Sequence, residues 1–193
     1  MEIIFADPYY DSGNWVEGKY ATELTKSLSE FDTNIQATND NIGHGADWPV
    51  VSVEIFKNLD WASFLTIVGI GTGGLFLLGD KINKNIDVWI DISKKFKKLI
   101  GIFHPARIDE NGAAIIVMND LLETHYDPLK ITLFVQIVEF TPVPWGKSKL
   151  CRRPDALYLI TARVPDAAFI YGIKSNTNIE FKHELRTAWH EFN

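Results

Sequence analysis

Nineteen consecutive residues, Trp61 to Gly79 (WASFLTIVGIGTGGLFLLG), carry no charge and lie between Asp60 and Asp80. A stretch of that length and polarity has few ways to fold, and three readings compete. As a single helix it covers about 28 Å, close to the thickness of a bilayer hydrocarbon core. Gly69 and Gly73 then form a G-x-x-x-G pair that lets helices approach closely in lipid, and the lysines at 81, 84, 94, 95, 97 and 98 put the C-terminal side in the cytoplasm. Five of the nineteen residues are glycine, however, and each lowers helix propensity by about 1 kcal/mol relative to Ala. The second reading suits them better: a buried, bent element of a soluble domain, broken at the glycines and covered by the strands and amphipathic helices around it.

The third reading is a dinucleotide site. Gly69, Gly71 and Gly74, with Gly73 between them, satisfy G-x-G-x-x-G, and Asp91 follows twenty-two residues after Gly69. Such a site needs a helix and then a second strand before the acidic residue. Instead Ile82, Ile86, Trp89, Phe96, Ile100 and Phe103 continue one helical stripe straight through Asp91, and Asp80/Lys84 and Asp91/Lys95 are i,i+4 pairs that favour helix. The spacing predicts an unbroken helix from about 80 to 101, which leaves the nucleotide fold without its second strand. That basic amphipathic helix either rests on an anionic membrane or, as is commoner, packs its stripe on a core and shows its lysines to water.

The flanks supply both strands and helices. Glu2–Ala6 reads as a short apolar strand closed by Asp7-Pro8. Asn14 and Glu17 sit at capping-box spacing before the stripe Val16, Tyr20, Leu24, Leu28 and Phe31. Asn34–Ala37 is a second strand, a polar loop runs to Asp47, and Asp47 with Pro49 marks a second helix start. Further on, Glu110–Glu123 suits a helix, although Ile115-Ile116-Val117 leaves a strand open. Lys130–Phe140, Leu157–Val164, Ala167–Lys174 and Ile179–Arg186 alternate like strands, with turn chemistry at Pro165-Asp166 and Asn176-Thr177-Asn178. In the last strand Ile179, Phe181, His183 and Leu185 are expected on the packed face, and Glu180, Lys182, Glu184 and Arg186 on the wet one.

The expected fold class is therefore α+β in a single domain over residues 1–193. An N-terminal strand–helix–strand–helix portion (1–60) precedes the apolar segment and basic helix (61–104) and a mainly antiparallel meander (105–193).

Charge narrows the function. The net charge of -6 is distributed as -8 over residues 1–60, +3 over 61–104 and -1 over 105–193. An acidic first third disfavours phosphate-facing surfaces there and argues against broad nucleic-acid binding, while it suits a basic partner protein. A single cysteine, Cys151, excludes an internal disulfide framework and a multi-cysteine zinc site. With no basic leader before the first strand, it fits a cytoplasmic protein, membrane-associated only if residues 61–101 engage lipid.

Thr141–Asp155 (TPVPWGKSKLCRRPD) gathers Trp145, Lys147, Lys149, Arg152 and Arg153 on one loop, a candidate surface for a phosphate or an acidic partner. Gly146-Lys147-Ser148 resembles the end of a phosphate-binding loop, but the glycine needed earlier is Thr141, and Pro142 and Pro144 remove backbone donors. His183-Glu184 lacks the second histidine of a metal helix because Thr187 stands in its place, and no serine lies in G-x-S-x-G. Asp7 and Asp11 around Tyr9 and Tyr10 form a carboxylate pair or ordinary turn. No catalytic set, metal site or cofactor site is expected. The leading expectation is a non-enzymatic, accessory or immunity-type interaction protein, using its acidic first third and the 145–153 loop. The alternatives are a membrane-associated protein inserting 61–79 and a small nucleotide- or phosphate-binding enzyme.

Overall fold

A computed structural model describes residues 1–10, 12–41, 49–57, 86–127, 130–139 and 156–186. Ile3, Ile4 and Phe5 are buried in succession, the mark of a strand covered on both faces. This strand, β1 (Glu2–Ala6), lies between two neighbours. The helix α1 (Lys19–Leu28) and the strands β2 (Gln36–Asn41) and β3 (Pro49–Glu54) follow it. Then come α2 (Ile86–Phe103), the short β4 (Arg107–Ile108), α3 (Glu110–Glu123), and the strands β5 (Thr132–Glu139), β6 (Ala156–Arg163), β7 (Ala167–Lys174) and β8 (Ile179–Arg186). The first sheet runs β2-β3-β1-β4 and the second is the meander β5-β6-β7-β8. Every strand pairing in them is antiparallel. The mixed α+β class and the C-terminal meander thus hold.

Two expectations about the N-terminal portion do not. Where Asp47 and Pro49 suggested a helix, β3 pairs with β1 through Ile3↔Val53 and Phe5↔Val51. Val50, Val51 and Val53 are β-branched and suit the pleated surface beside β1, and Pro49 takes the first strand position, where proline is tolerated. Nor does α1 begin at a capping box. Its cap is Gly18 at φ 77°, a left-handed conformation natural to glycine, with no side-chain cap. The expected stripe survives from Leu24 through Leu28 to Phe31, but Val16 is 59% exposed, because residues 14–17 precede the helix.

The second sheet packs Leu133, Tyr158, Ile160, Ala162, Phe169, Tyr171 and Ile173 inward. Its inner face meets α3, whose residues 112–119 and 121 are all buried. An α-helix apolar on every side requires cover on every side. α2 supplies some of it, through Ile92, Phe96 and Leu99. In the described part of the expected stripe, Phe96 is buried and Ile100 and Phe103 pack against the core. Residues 80–85 and the side chains of Ile86 and Trp89 lie outside the described residues, and Asp91 and Lys95 pair at 2.8 Å as expected. Buried residues of both sheets and of the three described helices form one contiguous cluster. Between α2 and α3, Ser93 Oγ donates to Asn119 Oδ1 (2.9 Å) and Asn119 Nδ2 donates to the Ser93 carbonyl (2.7 Å), so this buried polar pair is satisfied.

β8 reverses its expected orientation. The register sets Lys182 opposite Tyr171 and Glu184 opposite Phe169, so the charged positions share the side of the sheet that faces α3. Lys182 is satisfied there: its Nζ donates to Asp120 Oδ2 on α3 at 2.6 Å and lies 5.0 Å from the Phe169 ring centroid. Phe181, His183 and Leu185 share the opposite, open face, and His183 is exposed. Phe181 lies across Gly172, where a Cβ would stand 2.4 Å from the ring.

The junction between the sheets rests on Asp109. Its Oδ1 accepts from the Gly112 N–H and caps α3, while its Oδ2 accepts from the Glu2 N–H of β1, both at 2.9 Å. Just before it, the Ile108 N–H donates to the Ser175 carbonyl in the meander and the Ile108 carbonyl accepts from Tyr158 Oη, each at 2.7 Å. Asp109→Ala is expected to lower stability by about 1–2 kcal/mol in urea titration. Burial raises the Asp109 carboxyl above its ordinary 3.8, although the two N–H donors pull the other way. A raised folded-state pKa gives stability that is complete below the unfolded value and declines as pH rises through the folded one. Asp109→Asn keeps an acceptor and has no such titration. Its urea midpoint should therefore gain on that of the wild type as pH rises from the ordinary carboxylate value through the raised one. A constant difference across that window would show that the buried charge carries no penalty.

Candidate functional site

Because residues 14–17 stand outside α1, their side chains are left beside the ends of the first sheet. Asp7 and Tyr10 follow β1, Trp15 and Glu17 precede α1, Asn39 and Asp40 lie on β2, and Pro49 and Val50 open β3. Together they line a recess of about 490 Å³. Tyr10 and Trp15 are 39% and 45% exposed. Among the described lining residues three are carboxylates and none is basic.

The chain around the recess is held by short-range bonds. The Tyr9 N–H donates to Asp7 Oδ1 at 2.9 Å, and the Tyr10 and Gly13 N–H groups close successive turns on the Asp7 and Tyr10 carbonyls. Tyr9 turns away from the recess toward α1, where its hydroxyl donates to Glu23 Oε2 at 2.6 Å. Its ring lies 4.0 Å beneath Lys19 Nζ and edge-on to Tyr20. The hydrogen bond to Glu23 raises the Tyr9 phenol above its usual value. Burial raises that of Tyr20, with the Asp7 charge adding to it. The charge on Asp7 thus reaches neighbours outside the recess as well.

An apolar and anionic concavity of this kind suits a cation carried on an organic stem. Indole and phenol faces attract a guanidinium or ammonium through their quadrupoles, and the carboxylates supply the opposite charge. The sequence singles out Asp7 with Asp11, around Tyr9 and Tyr10, as a carboxylate pair or turn; the capping-box pattern conceals Trp15 and Glu17, and Asp40 carries no local signal. Asp11 lies outside the described residues.

The other sequence candidates lie outside them too: Gly69, Gly71, Gly73 and Gly74 of the glycine-rich segment, Trp145, Lys147, Lys149, Arg152 and Arg153 of the basic loop, and Cys151. A groove of about 500 Å³ between α2 and α3 gathers Lys94, Lys97 and Lys98, but Lys97 is paired with Glu123 and Lys98 stands over the Phe31 ring. Among the described residues no group of three or more His, Cys, Asp or Glu is placed to hold a metal ion. Among the same residues no helix is long and apolar enough to cross a membrane. No protein-family model, curated protein or solved structure matches the chain.

Since Trp15 and Glu17 are both exposed, Trp15→Ala and Glu17→Gln are each expected to shift stability by less than about 0.5 kcal/mol. Urea titration checks this, and a larger loss would mean that the recess is a structural wall of the domain.

Proposed function

We propose that the protein is a non-enzymatic interaction protein of the cytoplasm, and that the recess beside β1 receives a lysine or arginine side chain of a partner protein. The observation that carries this reading is the combination of exposed Trp15 and Tyr10 with Asp7, Glu17 and Asp40 in one concavity. Solubility alone accounts for scattered surface carboxylates; it does not account for large aromatic rings held half-exposed among them. The surplus negative charge of residues 1–60 extends the same preference outward and would speed encounter with a basic partner. The single cysteine is consistent with a reducing compartment.

The test is fluorescence anisotropy with a labelled lysine- and arginine-containing peptide, against an acidic peptide of equal length. Binding of the basic peptide alone, weakened about fivefold by Trp15→Ala and by added salt, is the expected outcome. Equal affinity of wild type and Trp15→Ala would remove the recess as the binding site.

A further inference from the structure

β8 closes the meander, and no described residue pairs with its outer edge. An open edge presents backbone donors and acceptors to any strand that fits. What distinguishes β8 is its order of charges, Glu180-Phe181-Lys182-His183-Glu184-Leu185-Arg186. Laid antiparallel against itself about a two-fold axis at His183, it sets Lys182 opposite Glu184 of the second copy, and by symmetry Glu184 opposite Lys182, while Glu180, at a bulge, is already paired with Lys174. On the other face it sets Phe181 opposite Leu185. Over the regular span from Phe181 to Leu185, each charged residue then meets its opposite and each apolar one meets an apolar one.

We infer that the protein forms a two-fold dimer in which β8 pairs with β8 of a second copy about His183, joining the two meanders into one continuous eight-stranded sheet. The faces agree with this. Phe181, His183 and Leu185 lie on the open side and Lys182 and Glu184 on the side of α3, so each proposed pair joins residues on the same face, as direct cross-strand neighbours must be. Lys182 keeps its bond to Asp120 while its charge also faces Glu184 of the second copy. Other registers are poorer. An axis at Lys182 sets Lys182 against itself; an axis at Glu184 sets Glu184 against itself and Lys182 against Arg186. Axes at Phe181 or Leu185 keep one kind of charge pair and shorten the overlap. β5, the opposite edge, has no charge from Thr132 to Val138, so its charges select no register. The same patch on both copies makes the contact isologous and closed.

The register gives the experiment. Only the residue on the axis lies opposite itself, with Cα atoms about 4.5–5.5 Å apart, inside the range a disulfide spans. In a Cys151→Ser background, His183→Cys should become a covalent dimer on mild oxidation, whereas Thr161→Cys, exposed on the same face of β6, should remain monomeric. In sedimentation velocity, Glu184→Lys and Lys182→Glu should each weaken self-association by at least about tenfold, and an equimolar mixture of the two should associate again because opposite charges then face one another. Circular dichroism establishes that each variant is folded. If Lys182→Glu does not fold without its bond to Asp120, the cysteine comparison decides alone. Cross-linking at position 183 no faster than at 161 would overturn the proposal, as would self-association that Glu184→Lys leaves unchanged.

Discussion

A helix apolar on all sides has no stable existence at a surface, and α3 is such a helix. Its run from Gly112 to Asn119, with Leu121, is buried, and the larger of these side chains contribute about 1.5–3 kcal/mol each relative to an exposed state. That stabilisation is realised only if α2, the first sheet and the meander are all in place around it. The polar groups that burial would otherwise orphan are met from those same elements. Asp109 caps the first turn while bonding β1, and Asn119 exchanges two hydrogen bonds with Ser93 of α2. The two sheets share no strand; what they share is this helix and the Ile108–Asp109 junction before it.

Much of this was legible in the sequence wherever a period was long and undisturbed. The alternation in β6, β7 and β8 and the turns at 165–166 and 176–178 mark the meander correctly, and the stripe Phe96–Ile100–Phe103 marks α2. The failures each have a local cause. Asp47-Trp48-Pro49 has the chemistry of a helix start, but three β-branched valines beside the apolar edge of β1 favour a strand. Asn14 and Glu17 have capping-box spacing, but Gly18 in a left-handed conformation starts α1 four residues later. In β8 the period holds from Phe181 to Leu185 with the face reversed, and a bulge at Glu180 sets Ile179 opposite Ile173, on the other side from Phe181. Alternation says which residues share a face, not which face meets the core, and the deciding partner, Asp120, is sixty-two residues away in sequence.

The candidate site was less legible than the fold for the same reason. The recess is assembled from the end of β1, the segment before α1, the middle of β2 and the start of β3, and only its first part carried a recognisable pattern. Its aromatic residues are exposed because the helix begins late. The open face of β8 likewise exists because Lys182 turns inward to Asp120 and Tyr171. In both places a departure from the simplest sequence pattern leaves aromatic or apolar side chains at the surface beside charges.

The central claim is that both sheets are held by one buried helix, and native-state hydrogen exchange tests it most directly. If α3 is the shared core, the amides of Ala113 to Leu121 exchange only through global unfolding, with the same opening free energy as the central positions of β1 and β7. Opening of the meander at a lower free energy, with β1 and α3 still protected, would contradict the account and divide the chain into two units of separate stability.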